Sequence, residues 1–158
     1  MSEKIYAHTS GKSQDTSQDN WQTLEDHQQE TADKASCFAQ RFDSADWAWN
    51  AAWLHDLGKI DPRFQNKLRK ANGLESENED ESLPGSVNHS GAGAAYAEEK
   101  FKGFVGRTLA YLIIGHHAGL PDYQSDLTGN AAFVCRMKEA EENLISGYIS
   151  SSQESVPI

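Results

Sequence analysis

Residues 44–64, SADWAWNAAWLHDLGKIDPRF, carry an apolar helical pattern straight into His55, Asp56 and Lys59 and then restart a helix at Pro62. Trp47, Ala51 and Leu54 recur at spacings of four and three, the stripe of an α-helix that faces a core. Ser44 is placed as its N-cap and Gly58 as its stop. Asp61 caps the next helix, with Pro62 at the first helical position, where a missing N–H costs nothing. A buried helix that ends in an imidazole, a carboxylate and an ammonium must supply each with a partner, because unpaired charge is expensive to bury.

The rest of the chain repeats the helical pattern, and no persistent alternation marks a strand. In LEDHQQETADKASCFAQRF, residues 24–42, His27, Thr31, Ala35, Phe38 and Phe42 fall on one face, so His27 points inward. NHSGAGAAYAEEKF reads as a capped helix with small residues for close packing, and FVGRTLAYLIIGHHAGL as a buried helix closed by glycines, with His116 and His117 at its end. GNAAFVCRMKEAEENLI adds one more amphipathic helix. The expected fold class is therefore all-α, a helical bundle of about five to seven helices, with residues 1–158 as a single domain. Residues 72–88 are acidic and poor in large apolar groups and read as a mobile loop; residues 146–158 read as a loose tail. No internal repeat is visible.

Composition narrows the function. A formal net charge of −10 disfavours unaided binding to a polyanion, so a nucleic-acid role needs metal ions or a partner. No apolar run approaches the length of about 20 residues that crosses a bilayer, and the polar start has no signal peptide; membrane association is not expected. Cys37 and Cys135 lie in helix-like segments and read as small buried residues with free thiols, consistent with the cytoplasm. Trp21, Trp47, Trp49 and Trp53 sit on or beside apolar faces and read as core rather than as base-stacking platforms.

The histidines carry the chemistry. Of His8, His27, His55, His89, His116 and His117, five of six fall on inward faces or at helix ends. One such ring is ordinarily a hydrogen-bonded core residue, but several sharing an interior with an aspartate each need a partner for their ring nitrogens. Metal coordination satisfies them together, and helix C-termini beside His55 and His117 favour cations. Successive helical residues point about 100° apart, so His55 and Asp56 straddle a site rather than face one ligand. The two oxygens of Asp56 suit it to bridge two ions about 3.5 to 4 Å apart. Lys59 joins that face if the helical path persists through Gly58; spacing alone leaves an ordinary surface lysine equally open. Nitrogen-rich ligation favours one or two ions of manganese, iron, cobalt, nickel or zinc over magnesium.

The stretches YAHT (6–9), HDLGKIDPRFQ (55–65), NHSGAGA (88–94) and GHHAGLPDY (115–123), in this order, resemble the HD metal-dependent phosphohydrolase superfamily. More narrowly, residues 5–123 resemble the nuclease domain of the CRISPR-associated helicase-nuclease of type I systems. The resemblance implies that His27, His55 and Asp56, with a later aspartate, hold a first ion. It implies that Asp56, His89, His116 and His117 hold a second. Asp56 and Lys59 are then catalytic, Lys59 lying near the scissile phosphate, while His8, where that family often carries a histidine, approaches the site from the N-terminal arm and reads as a structural or supporting residue ahead of a direct ligand. It further implies cleavage of single-stranded DNA, delivered by a superfamily 2 helicase and the Cascade surveillance complex. Asp122 lies in the loop after the double histidine and Asp126 has no family counterpart, so neither matches the later aspartate. The expectation is an excised N-terminal piece of a longer helicase-nuclease, a naturally short chain or an incomplete first site being the alternatives, with the second site loading more readily than the first. Two alternatives stay open: an HD phosphohydrolase with a closed pocket for nucleotides or cyclic nucleotides, and a catalytically silent docking module.

Overall fold

A computed structural model describes residues 4–10, 17–74 and 89–142 of the chain. The expected acidic loop beyond residue 74 and the tail 146–158 lie outside the described residues. Among those residues six α-helices form, which makes the fold all-α: α1 (Leu24–Ala39), α2 (Ala45–Leu54), α3 (Pro62–Ala71), α4 (His89–Phe101), α5 (Gly103–Gly115) and α6 (Phe133–Glu142). None of these is long and apolar enough to cross a membrane.

Local chemistry sets most of the boundaries. The Thr23 hydroxyl accepts the Asp26 N–H at 3.1 Å, and Glu25 and Asp26 occupy the positive end of the α1 dipole. Asp61 caps α3 as expected, accepting the Arg63 N–H at 2.8 Å and pairing with the same guanidinium. Ser44 does sit at the α2 N-cap position, but its hydroxyl donates to the Phe42 carbonyl at 3.0 Å. Gly58 does not stop α2. The helix ends at Leu54, and Gly58 lies inside a 3-10 turn, Leu57–Ile60, that follows.

The sequence reading expected no strands, yet β1 (Tyr6–His8) pairs antiparallel with β2 (Gln22–Thr23), Tyr6 opposite Thr23 and His8 opposite Gln22. Strands this short carry no readable alternation. The ribbon is held from outside by Gln65 of α3, whose side chain accepts the Tyr6 N–H at 3.0 Å and donates to the Tyr6 carbonyl at 2.8 Å.

α4 is the centre of the bundle. Its Gly91, Gly93, Ala94, Ala95 and Ala97 are buried, so α5 and α6 approach its backbone closely, with Leu54, Leu109, Ile113, Ile114 and Phe133 as the fully buried bulk. A Cβ on Gly93 would overlap the Leu54 carbonyl, so only glycine admits the end of α2 there. Trp47 and Trp53 pack on this core, Trp49 stacks on Trp53 at 4.9 Å, and Trp21 is buried edge-on against Tyr6 at 5.3 Å.

Two expectations fail. Phe38 and Phe42 are not core: they are 76% and 80% exposed. The α1 face that is buried runs Leu24, Gln28, Ala32, and Phe38, six residues after Ala32, points about 120° away from that line. Cys37 and Cys135 are free, as expected, but both are exposed. Phe133, Met137 and Ala140 define the inward stripe of α6, and Cys135, two residues after Phe133, points about 200° away from it.

Candidate metal centre

Asp56 lies between the end of α2 and the 3-10 turn, only 3% exposed, where both carboxylate oxygens face imidazoles. Oδ2 lies 3.1 Å from His55 Nε2 and 3.2 Å from His27 Nε2. Oδ1 lies 3.5 Å from His89 Nε2 and 3.7 Å from His116 Nε2. His117 Nε2 completes the second side, 2.6 Å from His89 Nε2. These rings come from the first turns of α1, the end of α2, the first residue of α4 and the residues after α5. The five candidate histidines are thus gathered about one carboxylate, that of the sixth candidate Asp56, which presents a different oxygen to each group.

The orientation of the rings suits a cation. His55 Nδ1 faces the Ala52 carbonyl at 2.5 Å, His116 Nδ1 the Ile113 carbonyl at 2.6 Å, and His27 Nδ1 the Gln22 side-chain oxygen at 3.2 Å. Each acceptor can take only an N–H, so a proton sits on Nδ1 and Nε2 is the nitrogen left to face Asp56: as an imidazolium it donates to the carboxylate, and as the neutral ring it offers its lone pair to an ion. Metal-ligating histidines are held in this way by carbonyls and amides on their far nitrogen. The Nε2 atoms of His27 and His55 face each other at 3.4 Å, so metal-free they share one proton at most, and one cation can take both lone pairs. The donor set therefore fits one or two divalent ions. Two groups of donors lie within 4.8 Å of one another: Asp56 with His89, His116 and His117, and Asp56 with His8 and His27.

Burial tends to raise the Asp56 carboxyl, but contacts from His116, His55 and Lys59 outweigh it and hold the group ionised far below the usual carboxylate range. Burial lowers His27 and His89, and the neighbouring imidazoles and Lys59 add to the effect. Burial and His116 lower His117 in the same direction. His55 is also pulled down by burial, yet its bond to Asp56 and the Ala52 carbonyl leave it raised.

Lys59 is not a surface lysine. The path through Gly58 stays helical, though of 3-10 type, and Lys59 is 5% exposed with Nζ 2.7 Å from Asp56 Oδ2 and 3.2 Å from the Ala7 carbonyl. Gly58 is required there because a Cβ would overlap the His89 backbone. The 3-10 turn can therefore lie directly against the start of α4, which brings His89 to Asp56. His8, at the end of β1, stands beside this group with Nε2 3.4 Å from Lys59 Nζ.

Three supporting residues escaped the sequence reading. Gln65 is 3% exposed and donates to both the Tyr6 and Lys59 carbonyls, at 2.8 and 2.7 Å. Gln22 orients His27, and Phe64 meets the His89 ring edge-on at 5.5 Å. Gln65 and Phe64 stood inside the DPRFQ stretch, where an uncharged polar residue on an amphipathic helix was the available signal; Gln22 gave none. Among the described residues, Asp122 and Asp126 do not join the cluster, and the Asp122 backbone carbonyl instead accepts the Phe133 N–H at 2.8 Å.

Comparison with known families agrees with this geometry. Residues 11–154 match the family described as Cas3, HD domain. No curated protein matches the chain. With a match over most of its length and a buried aspartate ringed by histidines, the chain belongs to the Cas3 HD-domain family, the HD-type metal-dependent phosphohydrolases of CRISPR systems.

Proposed function

We propose that this chain is a nuclease that cleaves single-stranded DNA during CRISPR interference, acting with a superfamily 2 helicase and the Cascade complex. His27, His55, Asp56, His89, His116 and His117 are its metal ligands. The observation that carries this reading is the placement of Asp56, with one oxygen toward His27 and His55 and the other toward His89 and His116. Divalent ions bound there supply Lewis acidity toward water and the phosphodiester. The imidazole-rich donor set favours manganese, iron, cobalt, nickel or zinc. Lys59 holds Asp56 and offsets the negative charge that builds on the phosphate.

Two features favour a polymer over a mononucleotide. The rings of His89 and His116 are 19% and 20% exposed, and His117 is exposed, so one side of the centre is open to a passing strand. α3 adjoins it through Phe64 and carries Arg63, Lys67, Arg69 and Lys70 with no acidic residue, in a chain of net charge −10. That strip guides a phosphate backbone locally, while the acidic remainder leaves strand delivery to the helicase and Cascade.

The test compares single-stranded DNA with mononucleotides and cyclic nucleotides, each with manganese or nickel, for the wild-type chain and Asp56→Asn. Cleavage of DNA alone, lost by at least roughly a hundredfold in Asp56→Asn, is expected. Hydrolysis confined to the small substrates would move the chain to the nucleotide phosphohydrolases. Metal uptake without any hydrolysis would leave a docking module, and DNA cleavage surviving Asp56→Asn would remove the mechanism.

A further inference from the structure

We propose that His8 is itself a ligand of the first ion, joining His27, His55 and Asp56 Oδ2 in a set of four donors. This goes beyond the ligand set argued above and rests on the reading of the cluster as a metal centre. The family match begins at residue 11 and so does not reach this position.

The protonation state of His8 is legible from its neighbour. An ammonium has donors and no acceptor, so the Nε2 that lies 3.4 Å from Lys59 Nζ takes part with its lone pair. That is the form in which imidazole binds metal, and the lone pair faces the group that includes Asp56. The His8 donor lies within 4.8 Å of those of His27 and Asp56, and its ring stands edge-on to His27 at 4.5 Å between centroids. Donors held at about 2.0 to 2.2 Å from one ion are at most about 4.4 Å apart, so a small side-chain rotation brings His8 within reach.

The backbone that carries His8 is fixed. β1 pairs with β2, Tyr6 and Ala7 are buried, and Gln65 binds both polar groups of Tyr6. The same Gln65 binds the Lys59 carbonyl, so the strand and the 3-10 turn are set relative to each other. Lys59 does not block the site: a carboxylate oxygen has more than one lone pair, so Oδ2 can face an ion on one side and, on the other, the Lys59 ammonium, which also touches the Ala7 carbonyl at 3.2 Å. Among the described residues no further carboxylate joins this side of the cluster, and His8 supplies the additional donor.

Cobalt(II) titration of the chelator-stripped full chain tests the assignment, following ion stoichiometry by calorimetry and ligand identity by the cobalt d–d absorption. Wild type is expected to take up two ions. His8→Ala should lose at least about tenfold in affinity for one of them, with the other unchanged and with an altered d–d spectrum. Removing a partner outside the coordination shell also weakens a site by about 10 to 100-fold, so the spectrum is the decisive readout. His8→Asp, which offers an oxygen donor, should restore the ion with a shifted spectrum. An unaltered spectrum in folded His8→Ala overturns the assignment. So does full recovery of the wild-type spectrum in His8→Asn, which keeps an acceptor for Lys59 without imidazole. A wild-type chain that binds no cobalt removes the metal centre and this ligand together, whereas two ions bound with His8 indifferent removes only the ligand.

Discussion

At the scale of single residues, the centre turns on which nitrogens carry protons. His8, His27, His89 and His117 all have lowered values in the folded chain, with burial as the first cause in each. The unfolded chain therefore binds protons that these rings refuse, and the metal-free protein loses stability as pH falls through about 6.5. His55 works the other way. Its raised value makes its contribution complete below about 6.5 and lost as pH climbs through the folded value. The lowered Asp56 adds stability present above about 3.9 and lost only at more acid pH. With four rings against one, the urea midpoint in the presence of a chelator should rise from about pH 5 to about pH 7. A midpoint that stays level or drops over this span would mean that the rings are not held neutral. The inward histidines could be anticipated from the chain because a polar residue on an apolar helical face is conspicuous. Lys59 could not, since its spacing from Asp56 suits a solvated lysine equally well.

At the scale of elements, the short turn after α2 does more to build the site than any whole helix. It carries Gly58 against the start of α4 and Lys59 beneath β1. Gly58→Ala forces a methyl group into the His89 backbone, and relief requires α4 or the turn to move. A loss of about 1 to 3 kcal/mol in unfolding free energy by urea titration is expected, with weaker metal uptake because His89 shifts with its backbone. Unchanged stability and uptake would show that the two elements can separate freely. The start of α3 was readable because Asp61 and Pro62 act on the nearest peptide groups. The end of α2 was not: Gly58 suggested a stop, whereas packing against α4 recruits that glycine to a different purpose.

At the scale of the molecule, the candidate ligands tie together β1, α1, the end of α2, the start of α4 and the end of α5. An ion that binds only this folded arrangement stabilises it by mass action, about 2.7 kcal/mol at a free concentration of 100 Kd. For a chain of this size that corresponds to a rise in Tm of roughly 5 to 11 °C. Loading with manganese and then adding excess chelator should reverse such a shift in thermal unfolding followed by circular dichroism. Identical curves in both conditions would mean that the cluster does not hold the ion in the folded chain.

The chain by itself determined the helical class, the cap of α3, the inward stripe of α2 and the list of residues able to ligate a metal. Each depends on groups within about four positions, and local backbone sterics and hydrogen bonding act over that range. Only the tertiary structure decided that Phe38 and Phe42 stay exposed, that Lys59 is buried, that a short ribbon forms and that His8 stands beside the cluster. Those outcomes rest on contacts between distant parts of the chain, such as Gln65 with Tyr6, 59 positions apart, and Lys59 with Ala7, 52 positions apart. No local pattern encodes such a pairing, because its free energy exists only after the segments between have folded and brought the two groups together.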